Sequence, residues 1–469
     1  MGAREAAPAV RAETLVPGGR ASANRRGQAA ARRRGRARRE RRGGATVRRA
    51  VITGVGAVTP AGVGATALQG AAAAGRSLIS RLDGQEYAGL PVQIGGRISD
   101  FDVSDRLPAG LARRLDPVQH WAIAAADEAL AQAGAPRPDG AETPLPWERH
   151  RVAVIAATGS GPVDAMQAAT RALDARGPRA VPLSLAMHGA PDAAAALLSQ
   201  RYDLRGPGQG VSATCASGAI GLGEAQRRIR HGYADAVLVV GMEDCLNAVN
   251  LASNANLRAL AAGYEDRPGA ASRPFDRARA GFVMSQGAGA ILLEPEESAV
   301  RRGAPILGVL AGFGASSDAH HATAPHPEGR GAAAAVAECL ADAGLEPDAV
   351  DHINAHGTGT PAGDRAELLA FAAALGERAR EIPISATKSS TGHLLGAAGI
   401  VEAIISLGAL ADGILPPTIN LEDPEFEGWN FVANEPRSAS IGSVLSTSFG
   451  FGGHNGAVLI TRPDRMGAA

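Results

Sequence analysis

Three short strings recur in the same order along this chain. Ala156-Ala-Thr-Gly-Ser-Gly161 resembles Asn354-Ala-His-Gly-Thr-Gly359. Ser212-Ala-Thr-Cys215-Ala-Ser-Gly218 parallels Ser385-Ala-Thr-Lys388-Ser-Ser-Thr391. Gly287-Ala-Gly-Ala-Ile-Leu-Leu293 resembles Asn455-Gly-Ala-Val-Leu-Ile460. Strings of small residues match easily one at a time, but three pairs in one order point to two similar halves, roughly 48–300 and 301–463. Halves packed about a pseudo-twofold axis bring equivalent loops together near that axis. The pairing sets Cys215 against Lys388, so the two are expected to face one site.

Within each half, short apolar runs alternate with Ala-rich stretches. Order is expected to begin at Arg48-Arg-Ala-Val-Ile-Thr-Gly-Val-Gly-Ala-Val-Thr-Pro60, where a β-branched run ends in glycine like a buried strand entering a turn. Further strands are expected at 151–157, 236–241, 287–293, 306–314, 350–354, 382–386 and 456–461. Helices are expected at 117–134, 190–201, 217–231, 331–344, 364–376 and 396–411. Such alternation argues for an α/β fold with buried sheets. Aromatic residues make up 3% of the chain, so the core must be built from small and β-branched side chains. No apolar run approaches the roughly 18 residues of a membrane span. The three cysteines, Cys215, Cys245 and Cys339, lack CxxC spacing. That argues against a disulfide framework or zinc site and for a reducing, cytoplasmic setting.

The neutral net charge hides an asymmetry. Residues 1–49 carry 15 arginines against three acidic residues, a balance of +12, which leaves the remainder near −12. Residues 1–47 therefore read as an arginine-rich tail without a core of their own, expected to be disordered. It has no apolar stretch of the secretory kind. A basic arm suits nucleic acid or an acidic partner, but nothing downstream has nucleic-acid chemistry. The tail is read as dispensable, or as translation from a start codon placed too early; residues 464–469 form a second short tail.

Chemistry concentrates in a few glycine-rich strings. Cys215 lies between a turn-rich stretch and an Ala/Gly helix. There a helix N-terminus is expected to favour the thiolate and to supply backbone N–H groups for an oxyanion. Cys245 and Cys339 read instead as small buried hydrophobes. Lys388 is the only lysine among 47 strongly basic residues. A lysine kept where arginine is otherwise universal marks a place where a compact point charge is needed, or else an accident of codon usage. His356 and His393 sit in glycine-rich loops at strand ends, where open α/β sheets bind ligands. Residues 446–456 look like the most flexible loop of the chain, with Phe449 and Phe451 placed to wall or gate a pocket. His454 reads as supporting that loop.

These strings resemble the β-ketoacyl-[acyl-carrier-protein] synthases of the thiolase superfamily, most closely the type II elongating enzymes. The resemblance covers 48–463. It rests on Val51-Ile-Thr-Gly-Val-Gly56, Ala271-Ser-Arg-Pro-Phe-Asp276, Asn354-Ala-His-Gly-Thr-Gly-Thr-Pro-Ala-Gly-Asp364, Thr387-Lys-Ser-Ser-Thr-Gly-His-Leu-Leu-Gly-Ala-Ala-Gly399, Pro416-Pro-Thr-Ile-Asn-Leu421 and Ser448-Phe-Gly-Phe-Gly-Gly453. It implies a thiolase-like fold, with two duplicated halves in a layered α-β-α-β-α core. It also implies an acyltransferase with a Cys-His-His site at Cys215, His356 and His393. Sister enzymes that start synthesis carry Asn in place of the second histidine, so His393 implies elongation.

The implied reaction is a decarboxylating condensation. Cys215 takes an acyl group from its carrier, and a malonyl thioester then loses CO2 to give an enolate that the two histidines stabilise. Attack on the acyl-Cys215 thioester yields 3-oxoacyl carrier. By the same resemblance the N–H groups of Cys215 and Phe451 form the oxyanion hole, Phe451 is the gate, and Thr323, Thr358 and Thr360 lie near the phosphopantetheine arm. Asp364 and Glu402 support the polar network, with Lys388 ordering the histidines and favouring neutral imidazoles. No metal or dissociable cofactor is implied. The implied partners are an acidic acyl carrier protein at Arg113, Arg114 and Arg258, and a second copy in a homodimer. Other readings are a type II polyketide ketosynthase working with a non-identical chain-length subunit, and a non-catalytic chain-length subunit, which Cys215 argues against. The string departs from the family at Thr214-Cys-Ala-Ser217, at Met284-Ser-Gln286, at His454 and at Pro162. Pro162 stands where a bulky aliphatic residue bounds the acyl pocket, which leaves chain length open.

Overall fold

The computed structural model describes residues 48–135 and 144–465. Ten strands carry its central sheet: β1 (Ala50–Thr59), β2 (Val152–Ala157), β3 (Gly208–Val211), β4 (Ala236–Glu243), β5 (Gly287–Pro295), β6 (Gly308–Ser317), β7 (His352–Asn354), β8 (Ile384–Ser385), β9 (Ser443–Gly450) and β10 (His454–Thr461). A short strand, Gly62–Val63, pairs with β1. The site is framed by six helices: α1 (Pro117–Gln132), α2 (Val163–Arg176), α3 (Ser217–Arg230), α4 (Arg330–Ala343), α5 (Pro361–Leu375) and α6 (Ala398–Asp412).

Across the sheet the strands run β3-β2-β4-β5-β1 and then β6-β10-β9-β7-β8. Counted from its own first strand, each set of five has the same internal order, 3-2-4-5-1. Pairing directions also match. The fifth strand of each set is antiparallel to the first and fourth, and the second is parallel to the third and fourth. The two sets join where β1 meets β6 antiparallel, Val51 opposite Val309 and Ile52 opposite Gly308.

Packing repeats the duplication. Helix α1 lies on β1, and a Cβ added to Gly54 or Gly56 would stand 2.0 or 2.1 Å from the carbonyl oxygens of Ala129 and Ala125. Helix α4 lies on β6 in the same way, with Gly312 and Gly314 against the carbonyls of Cys339 and Ala335 at 2.2 and 2.0 Å. Only glycine permits so close an approach of helix to strand backbone. Helices α3 and α6 pack on each other and on strands of both sets. The result is the layered α-β-α-β-α order of a thiolase-like fold, with α3 and α6 in the middle layer.

The middle helices also correct the residue pairing read from sequence. Thr214, just before α3, and Leu395, just before α6, both have left-handed backbone, φ +50° and +42°. Four residues beyond each lies a glycine at the helix crossing. A Cβ on Gly218 would meet the Gly399 and Ile400 nitrogens at 3.1 and 2.8 Å, and one on Gly399 would meet the Ala219 nitrogen at 2.5 Å. The backbone thus matches Thr214-Cys215 with Leu395-Gly396. Lys388 and His393 belong to a longer stretch between β8 and α6 for which the turn after β3 has no counterpart.

Three other expectations change. Residues 446–456 are mostly a hairpin of β9 and β10 and not an open loop; only Phe451–Gly453 turns, with Gly452 and Gly453 at φ +84° and +75°. Strands β3 and β9 and helix α2 were absent from the expected elements, because Gly208-Gln-Gly-Val211 and Ser443–Gly450 are small and polar, without a β-branched run. Leu395–Asp412 is an 18-residue helical stretch of mean hydropathy 1.6, so one run does reach span length, but 78% of it is buried inside the protein. Residues 398–410 of α6 are all buried, so a helix this apolar belongs to the interior of the protein. The arginine-rich stretch and the C-terminal tail expected from sequence fall outside the described residues, apart from Arg48, Arg49, Asp464 and Arg465.

Candidate active site

Five residues separate the end of β3 at Val211 from the start of α3 at Ser217, and Cys215 stands among them, 7% exposed. The left-handed Thr214 before it is an unfavourable conformation for a β-branched residue, and hydrogen bonds hold it. Thr214 Oγ1 donates to the Phe451 carbonyl (2.9 Å), and Ser217 Oγ donates to the Thr214 carbonyl (2.7 Å) while accepting from Ala213 N (2.8 Å). The Cys215 turn is thereby tied to the turn of the β9–β10 hairpin.

Burial pushes the Cys215 thiol up to about 12; the positive charge of Lys388 and the N–H groups of Phe451 and Cys215 itself pull it down, and the charge of Glu243 adds to the rise. This corrects the expectation of a resting thiolate: removal from water outweighs the helix terminus. The contributing N–H groups are the two that sequence reasoning assigned to an oxyanion hole, and both lie at the sulfur.

His356 follows β7, with its backbone fixed from behind. Its N–H donates to Glu367 Oε1 (2.7 Å) and Thr447 Oγ1 (3.0 Å), and the next N–H, of Gly357, donates to Glu367 Oε2 (2.8 Å). Asp364 accepts from Gly359 N (3.0 Å) and Phe275 N (2.8 Å), with Arg279 Nε at 3.4 Å. Helix α5 supplies both carboxylates, one turn apart, so its first turns brace the whole glycine-rich loop.

Lys388 is 1% exposed. Its ammonium lies 3.3 Å from His356 Nδ1 and pairs with Glu402 of α6. His393 is locked beside 283–285: its N–H donates to the Val283 carbonyl (2.7 Å), and its carbonyl accepts from Ser285 N (3.0 Å). The departure at Met284-Ser-Gln286 therefore runs alongside a site histidine. The two imidazoles sit 5.3 Å apart, nearly perpendicular at 83°, and Phe282 meets His393 edge-on at 5.4 Å. Burial first, then Lys388, and for His356 also His393, hold both imidazoles well below the usual 6.5. Both rings are neutral at physiological pH. Burial likewise raises the Glu402 carboxyl, opposed by Lys388.

All of this opens into one cleft. Cys215, His356, His393, Thr323, Thr358, Thr360, Phe449 and Phe451 line it, and Asp364, Lys388 and Glu402 stand behind its wall. Pro162 does not line it. That residue borders a separate groove with Met166, Pro191 and Val249, because the loop after β2 passes behind the Cys215 turn. Arg113, Arg114 and Arg258 are exposed. His454 stands at the start of β10 against the Phe451–Gly453 turn. A neutral cysteine, two neutral imidazoles and two N–H groups around one cleft suit nucleophilic acyl transfer followed by stabilisation of an oxyanion or enolate.

Residues 47–299 match the family model for the β-ketoacyl synthase N-terminal domain, and residues 307–422 match that for the β-ketoacyl synthase C-terminal domain. The chain belongs to the β-ketoacyl synthase family. It is 39% identical over 379 residues to the 3-oxoacyl-[acyl-carrier-protein] synthase 2 of Synechocystis sp., covering 80% of this chain and 88% of the relative. It is 38% identical over 394 residues to the enzyme of the same name from Coxiella burnetii, covering 84% and 93%. Among solved structures it resembles a chain from the complex of a type II polyketide acyl-carrier protein with its ketosynthase bound to the hexaketide. There the TM-score is 0.81 at 28% identity, over 89% of this chain and 100% of the other. The chain is thus a condensing acyltransferase on a thiolase-like fold.

Sequence reasoning missed four residues of this ketosynthase site. Glu367 follows Asp364 by one short step on the same helix, and that spacing was the available signal. Phe282 was one of only nine phenylalanines and lies in a glycine-flanked string. Asp318 lines the cleft and accepts from His326 N (2.9 Å) and Asn455 Nδ2 (2.9 Å). Nothing in the sequence separates Glu243 from other acidic residues at strand ends.

Proposed function

We propose that the chain elongates carrier-bound acyl chains by decarboxylating condensation, joining an acyl-enzyme thioester to malonyl carrier protein to give 3-oxoacyl carrier and CO2. The observation that carries this reading is the convergence of Cys215, His356 and His393 on one cleft with Lys388 buried behind them. In the first step Cys215 Sγ bonds to the acyl carbon, the carrier sulfur departs, and the thiol proton goes with it to the carrier. The N–H groups of Cys215 and Phe451 hold the oxyanion. In the second step the malonyl carboxylate leaves as CO2 and its electron pair forms an enolate, which neutral imidazoles stabilise by hydrogen bonding. The enolate carbon attacks the acyl carbonyl, and the Cys215 thiolate leaves and takes a proton from solvent. The malonyl carboxylate supplies the driving force, so the chemistry calls for no cofactor. Lys388 keeps the imidazoles neutral, and Phe451, tied to Thr214, gates entry.

The carrier's phosphopantetheine arm runs past Thr323, Thr358 and Thr360, and its acidic surface meets Arg113, Arg114 and Arg258. The working unit is read as a homodimer built through the central sheet of each half. Three free cysteines fit a reducing, cytoplasmic setting. A ketosynthase of a type II polyketide pathway is the second reading. It rests on a structural relative at 28% identity, below the 38–39% of the elongating relatives.

Separating the two half-reactions tests the assignment. Cys215→Ala is expected to abolish acyl transfer with its melting temperature unchanged; condensation by that variant refutes the nucleophile. Replacing His356 or His393 by Ala should lower malonyl decarboxylation by about 10²-fold or more while Cys215 still acylates. Decarboxylation unchanged in both variants removes the histidines from the enolate step.

A further inference from the structure

Glu243 ends β4, is fully buried, and takes part in no step described above. Its carboxylate collects four hydrogen bonds. Oε2 accepts from Gly159 N (2.6 Å) and Gly396 N (2.9 Å), and Oε1 accepts from Ser160 N (3.1 Å) and Thr158 Oγ1 (3.3 Å). Among the described residues no cation is a partner of it. Three backbone donors from two loops converge on one acceptor, an arrangement only a carboxylate satisfies in full.

Those loops serve opposite sides of the cleft. Thr158–Ser160 follow β2 and back the Cys215 turn: the Thr158 carbonyl lies 3.2 Å from Ser217 Oγ, and a Cβ on Gly159 would lie 3.6 Å from Thr214 Cα. Gly396 is three residues beyond His393 and follows the left-handed Leu395. The loops touch so closely that a Cβ on Gly396 would stand 2.2 Å from Gly159 N.

The duplicated half has a parallel device. There Glu367 takes two successive N–H groups, of His356 and Gly357, just past the second strand. In the first half Glu243 takes those of Gly159 and Ser160 just past the second strand, and adds Gly396 from across the pseudo-twofold. Glu367 therefore braces one histidine within its own half, whereas Glu243 bridges the two halves.

We infer that Glu243 is a positioning residue for the condensation, setting the distance between the Cys215 turn and the His393 loop through the Gly159 and Gly396 N–H groups. The inference rests on the proposed roles of Cys215 and His393. It assigns to Glu243 geometry alone, with no contact to the substrate. Glu243→Gln keeps size and shape but turns an NH2 group toward backbone N–H donors, so one tie must open. Glu243→Asp keeps the charge and withdraws the carboxylate by one methylene.

The test uses the full chain with acyl and malonyl carrier proteins, and measures melting temperature, Cys215 acylation by mass spectrometry, and kcat and KM for malonyl carrier. Both variants should stay folded and acylate Cys215, with kcat for condensation down by about tenfold or more and KM little changed. Glu243→Asp should recover part of the loss seen in Glu243→Gln. Condensation within about twofold of the parent in both variants overturns the inference. So does failure of both to fold, which would make Glu243 a stability residue, and so does an equal rise in KM. Cys215→Ala, run alongside, tells the two failures apart: if it still condenses, the underlying reading falls and not the placement of Glu243.

Discussion

At the scale of single residues, Lys388 carries the sharpest consequence. Its ammonium fits between His356 Nδ1 and Glu402 with 1% of its surface exposed. Arginine would bring the same charge on a broad planar fork that this space does not hold. Lys388→Arg should therefore stay charged yet lose about 10²-fold in condensation, because misplacing the histidines by an ångström is enough. A fully active variant would reduce the lone lysine to codon usage. The histidines give a pH test. Both are held well below 6.5, and a base of lowered pKa stays neutral until the pH falls below that lowered value. Malonyl decarboxylation in Cys215→Ala protein should then run level as the pH drops through 6.5 and fall only in more acid solution. An inflection at 6.5 contradicts the neutral pair. These residues were legible in the sequence because cysteine, histidine and a solitary lysine stood out in strings of glycine, serine and threonine. Glu243 was not, since an acidic side chain without a motif around it shows its importance only through the N–H groups the fold brings to it.

At the scale of elements, the site depends on how α3 and α6 meet. Both start from turns with a left-handed residue, Thr214 or Leu395, and cross through Gly218 and Gly399. Gly399→Val would drive a branched side chain into the Ala219 backbone. The expected cost is about 1–3 kcal/mol of stability, read as a lower melting temperature, with a fall in activity as the His393 loop shifts. A variant as stable and active as the parent would mean the crossing tolerates separation. Long elements with a clear period, such as α1, α4 and β5, were readable from pattern. The β9–β10 hairpin was not, because Ser446-Thr-Ser-Phe-Gly-Phe-Gly-Gly453 is written in turn residues yet pairs as strand up to Gly450 with β10, which β6 in turn holds from 137 or more residues away in sequence. Tertiary pairing overrode local propensity there.

At the scale of the molecule, duplication explains both what the sequence disclosed and where it misled. Repeated strings located two halves, and the sheet repeats 3-2-4-5-1 in each. The same strings matched Lys388 to Cys215 by composition, whereas the backbone matches Gly396 to Cys215. The longer stretch in the second half is what carries lysine and histidine to the cleft. A symmetric framework thus holds an asymmetric site, with a cysteine on one side and two imidazoles on the other, the proposed nucleophile and the proposed enolate stabilisers. In the proposed reaction the acyl group resides on Cys215 between the two half-reactions. Mass spectrometry of the enzyme after incubation with mixed acyl carriers, without malonyl carrier, reads this directly. The expected result is one acyl group, on the peptide containing Cys215, that is discharged as 3-oxoacyl carrier when malonyl carrier is added. An acyl group on any other residue, or condensation without acylation of Cys215, would contradict the account.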